Sequence, residues 1–120
     1  MLITGAVGNL GRAVARRFAA DRRRLALLDS DAVRLAVAFG ADDGKLTLAC
    51  DLLAASAITS AIERVTQRLG SLGVLCSIAG GFPIGETVHE TSAATWDLLM
   101  CLSARSVLHT ANDVVPGMLA

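Results

Sequence analysis

Three glycines at a spacing of three, in Thr4-Gly5-Ala6-Val7-Gly8-Asn9-Leu10-Gly11, constrain this chain more than any other feature. The octapeptide follows a short apolar run, Met1 to Thr4, whose residues suit a β-strand. Beyond it the period changes. Leu10, Ala13, Val14 and Phe18 recur at helical spacing, which predicts a helix from Asn9 to Ala20. The glycines therefore occupy a strand-to-helix turn. Glycine there permits positive φ and lets backbone approach a ligand closely. Asn9 tolerates the left-handed region better than most residues. The free N–H groups of a helix start, at the positive end of its dipole, suit a pyrophosphate. An ordinary βα turn would show the same glycines, so the reading needs a second signal.

That signal lies in Leu25-Ala26-Leu27-Leu28, a buried-strand pattern ending in Asp29. Asp29 stands eighteen residues after Gly11, where an acid that hydrogen-bonds a dinucleotide ribose is expected. Its competing role is a helix N-cap, shared with Ser30 and Asp31, for the segment that follows. Behind the glycine turn the ribose role is preferred.

The remaining elements alternate. Asp31 to Phe39 reads as a short helix, Asp42-Asp43-Gly44 as a turn, and Leu46 to Cys50 as a third strand leading into Asp51. Ala54 to Leu69 reads as a helix with Ile58, Ala61, Ile62 and Val65 on one face, closed by Gly70 and Gly73. Val74 to Ile78 is a continuous apolar run, expected as a fourth strand covered on both faces. Ala79-Gly80-Gly81-Phe82-Pro83 is a loop. Thr91 or Ser92 is expected to cap one last long helix carrying Trp96, Leu99, Met100, Val107, Leu108, Ala111 and Val115. Pro116 should kink or end it. Right-handed crossovers between these units give an α/β fold: a parallel sheet with helices on both faces. Ligands on such sheets bind beyond the carboxyl ends of the strands. The glycine turn, Asp29, Asp51 and Ala79-Gly80 all follow strand ends, so they converge on one edge.

With 120 residues and 53% hydrophobic composition, the chain can form one domain, residues 1–120, around one core. Lys+Arg and Asp+Glu are both 11, so no overall field draws nucleic acid or membrane. Arg22-Arg23-Arg24 is the one basic cluster, read as a solvated helix end. Cys50, Cys76 and Cys101 are odd in number and have no metal-ligand spacing. Cys50 and Cys76 end apolar runs and are expected to be buried free thiols in a reducing, cytoplasmic compartment. Neither a leader peptide nor an apolar run of membrane-spanning length is expected.

Together these residues resemble the short-chain dehydrogenase/reductase family, an oxidoreductase family. The octapeptide is similar to its TGxxxGxG turn, with Asn9 in place of the middle glycine, and equally fits the TGxxGxxG spacing of its extended branch. Asp29 matches the acid that favours NAD over NADP, and Cys50-Asp51-Leu52 resembles the segment that contacts adenine. Ser77-Ile78-Ala79-Gly80 resembles NNAG without either asparagine, and Pro116-Gly117-Met118 ends a helix similar to the family's long fourth helix. The resemblance implies a Rossmann-like sheet of about four strands in order 3-2-1-4. It also implies NAD as cofactor, held by Gly5, Gly8, Asn9, Leu10, Gly11, Asp29, Asp51, Leu52, Ala79 and Gly80.

The departures bear on catalysis. The family uses an asparagine in the long helix, where Ser103 stands here, and a later serine and YxxxK segment. The chain has no tyrosine, Lys45 is its one lysine, and it stops at Ala120, before that segment would come. Tyrosine in the family exchanges a proton with the substrate oxygen while lysine lowers its pKa. His89, on the expected ligand edge, and His109, in the last helix, are the remaining acid/base residues, and both read better as ordinary side chains. Three readings stay open: an NAD-binding half that is not catalytic by itself, a non-enzymatic dimerising module with a vestigial site, and a fragment of a longer oxidoreductase. Without a fifth strand, Val74 to Ile78 would form an unprotected edge. A homodimer or larger homo-oligomer is therefore expected, through the last helix or strand four.

Overall fold

The computed structural model describes residues 1–40, 44–82 and 84–120. Asp42, Asp43 and Pro83, read from the sequence as turn and loop, fall outside them. Strands β1 (Leu2–Thr4), β2 (Leu25–Asp29), β3 (Lys45–Ala49) and β4 (Leu75–Ser77) form one sheet in the order β3-β2-β1-β4. Every pairing is parallel, with Ile3 level with Leu27 on one side and Cys76 on the other. Helices α1 (Asn9–Ala20), α2 (Ala32–Phe39) and α3 (Ala55–Leu69) connect the strands. This is the Rossmann-like arrangement expected from the sequence.

Alternation along the two central strands divides the core between the sheet's faces. Leu2, Ala26 and Leu28 pack with Ile58, Ile62 and Val65 of α3. Ile3, Leu25 and Leu27 point the other way, onto Ala15 of α1 and Leu35 of α2. All of β1 and Leu25 to Leu28 of β2 are buried, as strands covered on both faces must be.

β4 departs from expectation. It is only three residues long, Leu75 and Cys76 are half-buried and Ser77 is exposed, so it is not covered on both faces. It pairs with β1 alone and forms the sheet edge, where fewer groups pack over it. Cys76 is correspondingly half-buried, whereas Cys50 is buried as expected. β3 starts one residue earlier than read, at Lys45.

The last long helix is interrupted. Helix α4 (Ala93–Met100) runs into a π-helical turn (Cys101–Arg105) and then into α5 (Ser106–Leu119). A π turn inserts an extra residue, so the 3.6-residue stripe cannot continue straight through it. α4 buries none of its residues, and Trp96, Leu98 and Met100 face solvent. α5 presents Ser106, Thr110 and Val114 inward instead. The two buried hydroxyls donate to carbonyls one turn earlier, Ser106 to Leu102 and Thr110 to Ser106. Pro116 does not end α5. It withholds one N–H near the C-terminal end, and its carbonyl still accepts the Ala120 N–H at 3.2 Å. No described helix is long and apolar enough to cross a membrane.

Candidate functional site

A cleft of about 550 Å³ opens at the carboxyl ends of the strands. The loop after β1 contributes Gly5, Gly8, Asn9, Leu10 and Gly11. Asp29 comes from the end of β2, Asp51 and Leu52 from beyond β3, and Ala79 and Gly80 from beyond β4. The structure thus brings to one cleft all ten residues singled out from the sequence.

The glycines do different work. Gly5 has φ +67, and an added Cβ would lie 2.7 Å from the backbone N and Cα of Ala79. A Cβ at Gly11 would lie 2.2 Å from the Gly5 carbonyl oxygen, so the start of α1 packs directly on the loop. Gly8 needs neither freedom. It caps α1 with φ −68 and ψ 165, and its hypothetical Cβ meets only the Gly5 oxygen, at 3.4 Å. Gly8 has no side chain to cap α1, so the first-turn N–H groups have no capping acceptor there. Asn9 sits at the first helical position, and Arg22 is the one described non-glycine residue with positive φ. The left-handed tolerance expected of Asn9 is therefore not used, because Gly5 supplies the turn's positive φ.

Hydrogen bonds fix the loop from several sides. The Asp29 carboxylate accepts the Val7 N–H at 3.1 Å through Oδ2 and the Asp31 N–H at 3.4 Å through Oδ1. Arg12 Nε donates to the Val7 carbonyl at 2.8 Å. The buried Thr4 hydroxyl accepts the N–H groups of Ile78 and Ala79 at 3.2 and 3.3 Å, joining the ends of β1 and β4. Asp31, not Asp29, caps α2, accepting the Arg34 N–H at 2.9 Å. Asp51 accepts the Leu53 N–H at 2.9 Å in a tight turn, which leaves Leu52 buried. Beside it, burial and then the Asp51 charge push the Cys50 thiol above its usual pKa, so it stays protonated.

Sequence reasoning left out Thr4 and six residues of the cleft lining: Val7, Ser30, Arg34, Leu53, Ile78 and Leu102. Thr4 lay within the octapeptide, and its threonine hydroxyl was a readable signal. Ser30 and Arg34 line the cleft near Asp29, and Leu102 walls it from the π-helical turn. No local pattern marks Arg34 or Leu102, because both reach the cleft through tertiary packing. Neither histidine lines it. His89 Nδ1 is 3.3 Å from Thr87 Oγ1 on an exposed loop, and His109 is half-buried on α5. Ser103 lies close to the end of β4, 3.7 Å from where a Cβ on Gly80 would stand. Among the described residues no His/Cys/Asp/Glu group could hold a metal ion.

Comparison with known proteins extends this picture. The sequence pattern of the short chain dehydrogenases matches residues 1–120. An uncharacterized oxidoreductase of Schizosaccharomyces pombe is 32% identical over 121 residues, covering 98% of this chain and 43% of that protein. A cis-2,3-dihydrobiphenyl-2,3-diol dehydrogenase of Pseudomonas putida is 27% identical, over 100% of this chain and 45% of the relative. The crystal structure of L-sorbose reductase from Gluconobacter frateurii, complexed with NADPH and L-sorbose, superposes with a TM-score of 0.83. It is 26% identical, over 98% of this chain and 46% of the reductase. The chain spans less than half the length of these relatives.

Proposed function

The chain belongs to the short-chain dehydrogenase family, and on that premise we propose that it is the NAD-binding half of an oxidoreductase, not catalytic by itself. The fixed carboxylate of Asp29 at the cleft, held by the Val7 N–H at 3.1 Å, carries this reading. A carboxylate there accepts ribose hydroxyls and repels a 2′-phosphate. Gly8, Asn9, Leu10 and Gly11 would hold the pyrophosphate at the uncapped start of α1. Asp51 and Leu52 would flank the adenine, and Ala79 and Gly80 the remainder of the dinucleotide, beside Gly5. Bound NAD supplies a hydride acceptor. The chain's own contribution is to bind and orient it.

Among the described residues, the cleft holds no counterpart of the family's proton-exchanging tyrosine. The chain contains no tyrosine, and neither histidine lines the cleft. The relatives extend to more than twice the matched length, which favours placing the acid/base groups in a longer oxidoreductase, outside these residues. Calorimetric titration with NAD and NADP tests the reading. Saturable NAD binding, tighter than that of NADP, is expected. No saturable signal at millimolar NAD would refute it.

A second reading rests on the exposed apolar face of α4 and α5, where Trp96 is 60% and Leu108 58% accessible. Such a face marks an interface. Paired with the bare edge of β4, it favours self-association of these residues when they stand alone, with or without a bound nucleotide.

A further inference from the structure

A second cleft, of about 330 Å³, lies at the opposite end of the sheet, where the strands begin. Phe18, Leu69 and Val74 give it apolar walls, and Arg22, Arg23 and Arg24 line it together. Its size falls in the range of small-molecule sites.

Asp21, the adjacent acid, is engaged by Arg17 at 2.8 Å. Among the described residues none of the three makes an ion pair. The whole chain is formally neutral, so the cluster is a local field and not part of a general one.

Backbone conformation adds an independent observation. α1 ends with the Arg22 N–H donating to Ala19 at 2.9 Å and the Arg23 N–H donating to Phe18 at 3.3 Å. In this kind of helix ending the left-handed residue is usually glycine. Arg22 holds it here, with φ 54. An arginine thus stands at a strained position that glycine fills without strain, and it lines the cleft.

We propose that this cleft binds a small organic anion, a phosphate monoester carrying an apolar body. Guanidinium forks match phosphate oxygens in paired hydrogen bonds. Phe18, Leu69 and Val74 would cover the apolar part. The proposal is independent of the dinucleotide reading, since the two clefts share no residue.

Titration of the chain with phenyl phosphate, followed through backbone amide NMR shifts, tests it. Saturable shifts are expected at Arg22 to Leu25 and at Gly73 and Val74. The double substitution Arg23→Gln, Arg24→Gln should weaken binding by about tenfold or more, while Asp29→Ala leaves it unchanged. Arg22→Gly separates binding from folding, because it should weaken binding yet raise the melting temperature. The proposal is overturned if inorganic phosphate binds as tightly, if the shifts map to the glycine turn, or if the arginine variants bind like the parent.

Discussion

Asp29 Oδ2 accepts the Val7 N–H at 3.1 Å, although 22 residues separate the two along the chain. One carboxylate thereby locks the glycine loop against the end of β2 and stands at the cleft. Asp29→Ala removes both roles. A charge-assisted hydrogen bond contributes about 1.5–3 kcal/mol, and partial exposure places this one at the lower end of that range. NAD affinity should fall by about tenfold or more. Preference over NADP should narrow, because Arg34 also lines the cleft and can meet a 2′-phosphate once the acid is gone. Parallel titrations with both dinucleotides check this.

Gly11 and Gly8 should separate folding from binding. Gly11→Ala drives a methyl to within 2.2 Å of the Gly5 carbonyl oxygen and 2.8 Å of the Ala6 Cα. Relief requires backbone movement, and overpacking of this kind costs roughly 1–3 kcal/mol or more. Gly8→Ala meets the same oxygen at 3.4 Å, an ordinary contact. It should leave the denaturation midpoint nearly unchanged while obstructing the approach of a pyrophosphate to α1. Urea unfolding beside NAD titration of both variants distinguishes the effects.

The Thr4 hydroxyl is the acceptor for two backbone N–H groups at the start of the β4 loop. Thr4→Val keeps the shape and deletes the acceptor, so destabilisation of about 1–3 kcal/mol is expected. Thr4→Ser should recover most of it. Hydrogen exchange at Ile78 and Ala79 should accelerate in the valine variant alone.

Most of the fold was legible because its elements are read by short-range patterns. Leu25 to Leu28 is a plain buried strand, and α3 buries Ile58, Ala61, Ile62 and Val65 at the spacing seen in the sequence. The ten cleft residues follow from strand order, since loops leaving one end of a parallel sheet must converge. The π-helical turn was not legible. Cys101 to Arg105 carry no sequence mark of an inserted residue, and the helical period was read straight across them. Arg34 was missed for a related reason, because it stands at an exposed position of α2 and no spacing in the sequence ties it to the cleft that it lines.

No dehydrogenase turnover is expected from these 120 residues alone. Without the family's tyrosine, proton transfer should be slower on the order of 10²- to 10⁴-fold. Spectrophotometric assay of NADH formation with simple secondary alcohols checks this. Sustained NAD-dependent oxidation by protein free of host enzymes would instead direct attention to Ser103, which lies near Gly80.

The isolated chain should self-associate at micromolar concentration, with the α4 and α5 face favoured over pairing of β4 edges. Leu108 is 58% exposed on that face. Leu108→Glu should shift sedimentation toward the monomer with little change in far-ultraviolet dichroism. If the variant remains as associated as the parent, β4 pairing is the better account.

Every residue that lines the larger cleft falls between Gly5 and Leu102. These lining residues therefore belong to one continuous stretch of polypeptide. A ligand that bound there would act on the folding equilibrium of that stretch directly. At a hundredfold excess over its dissociation constant, a ligand adds about 2.7 kcal/mol to stability. A nucleotide held in this way would aid the folding of that stretch as soon as it was made.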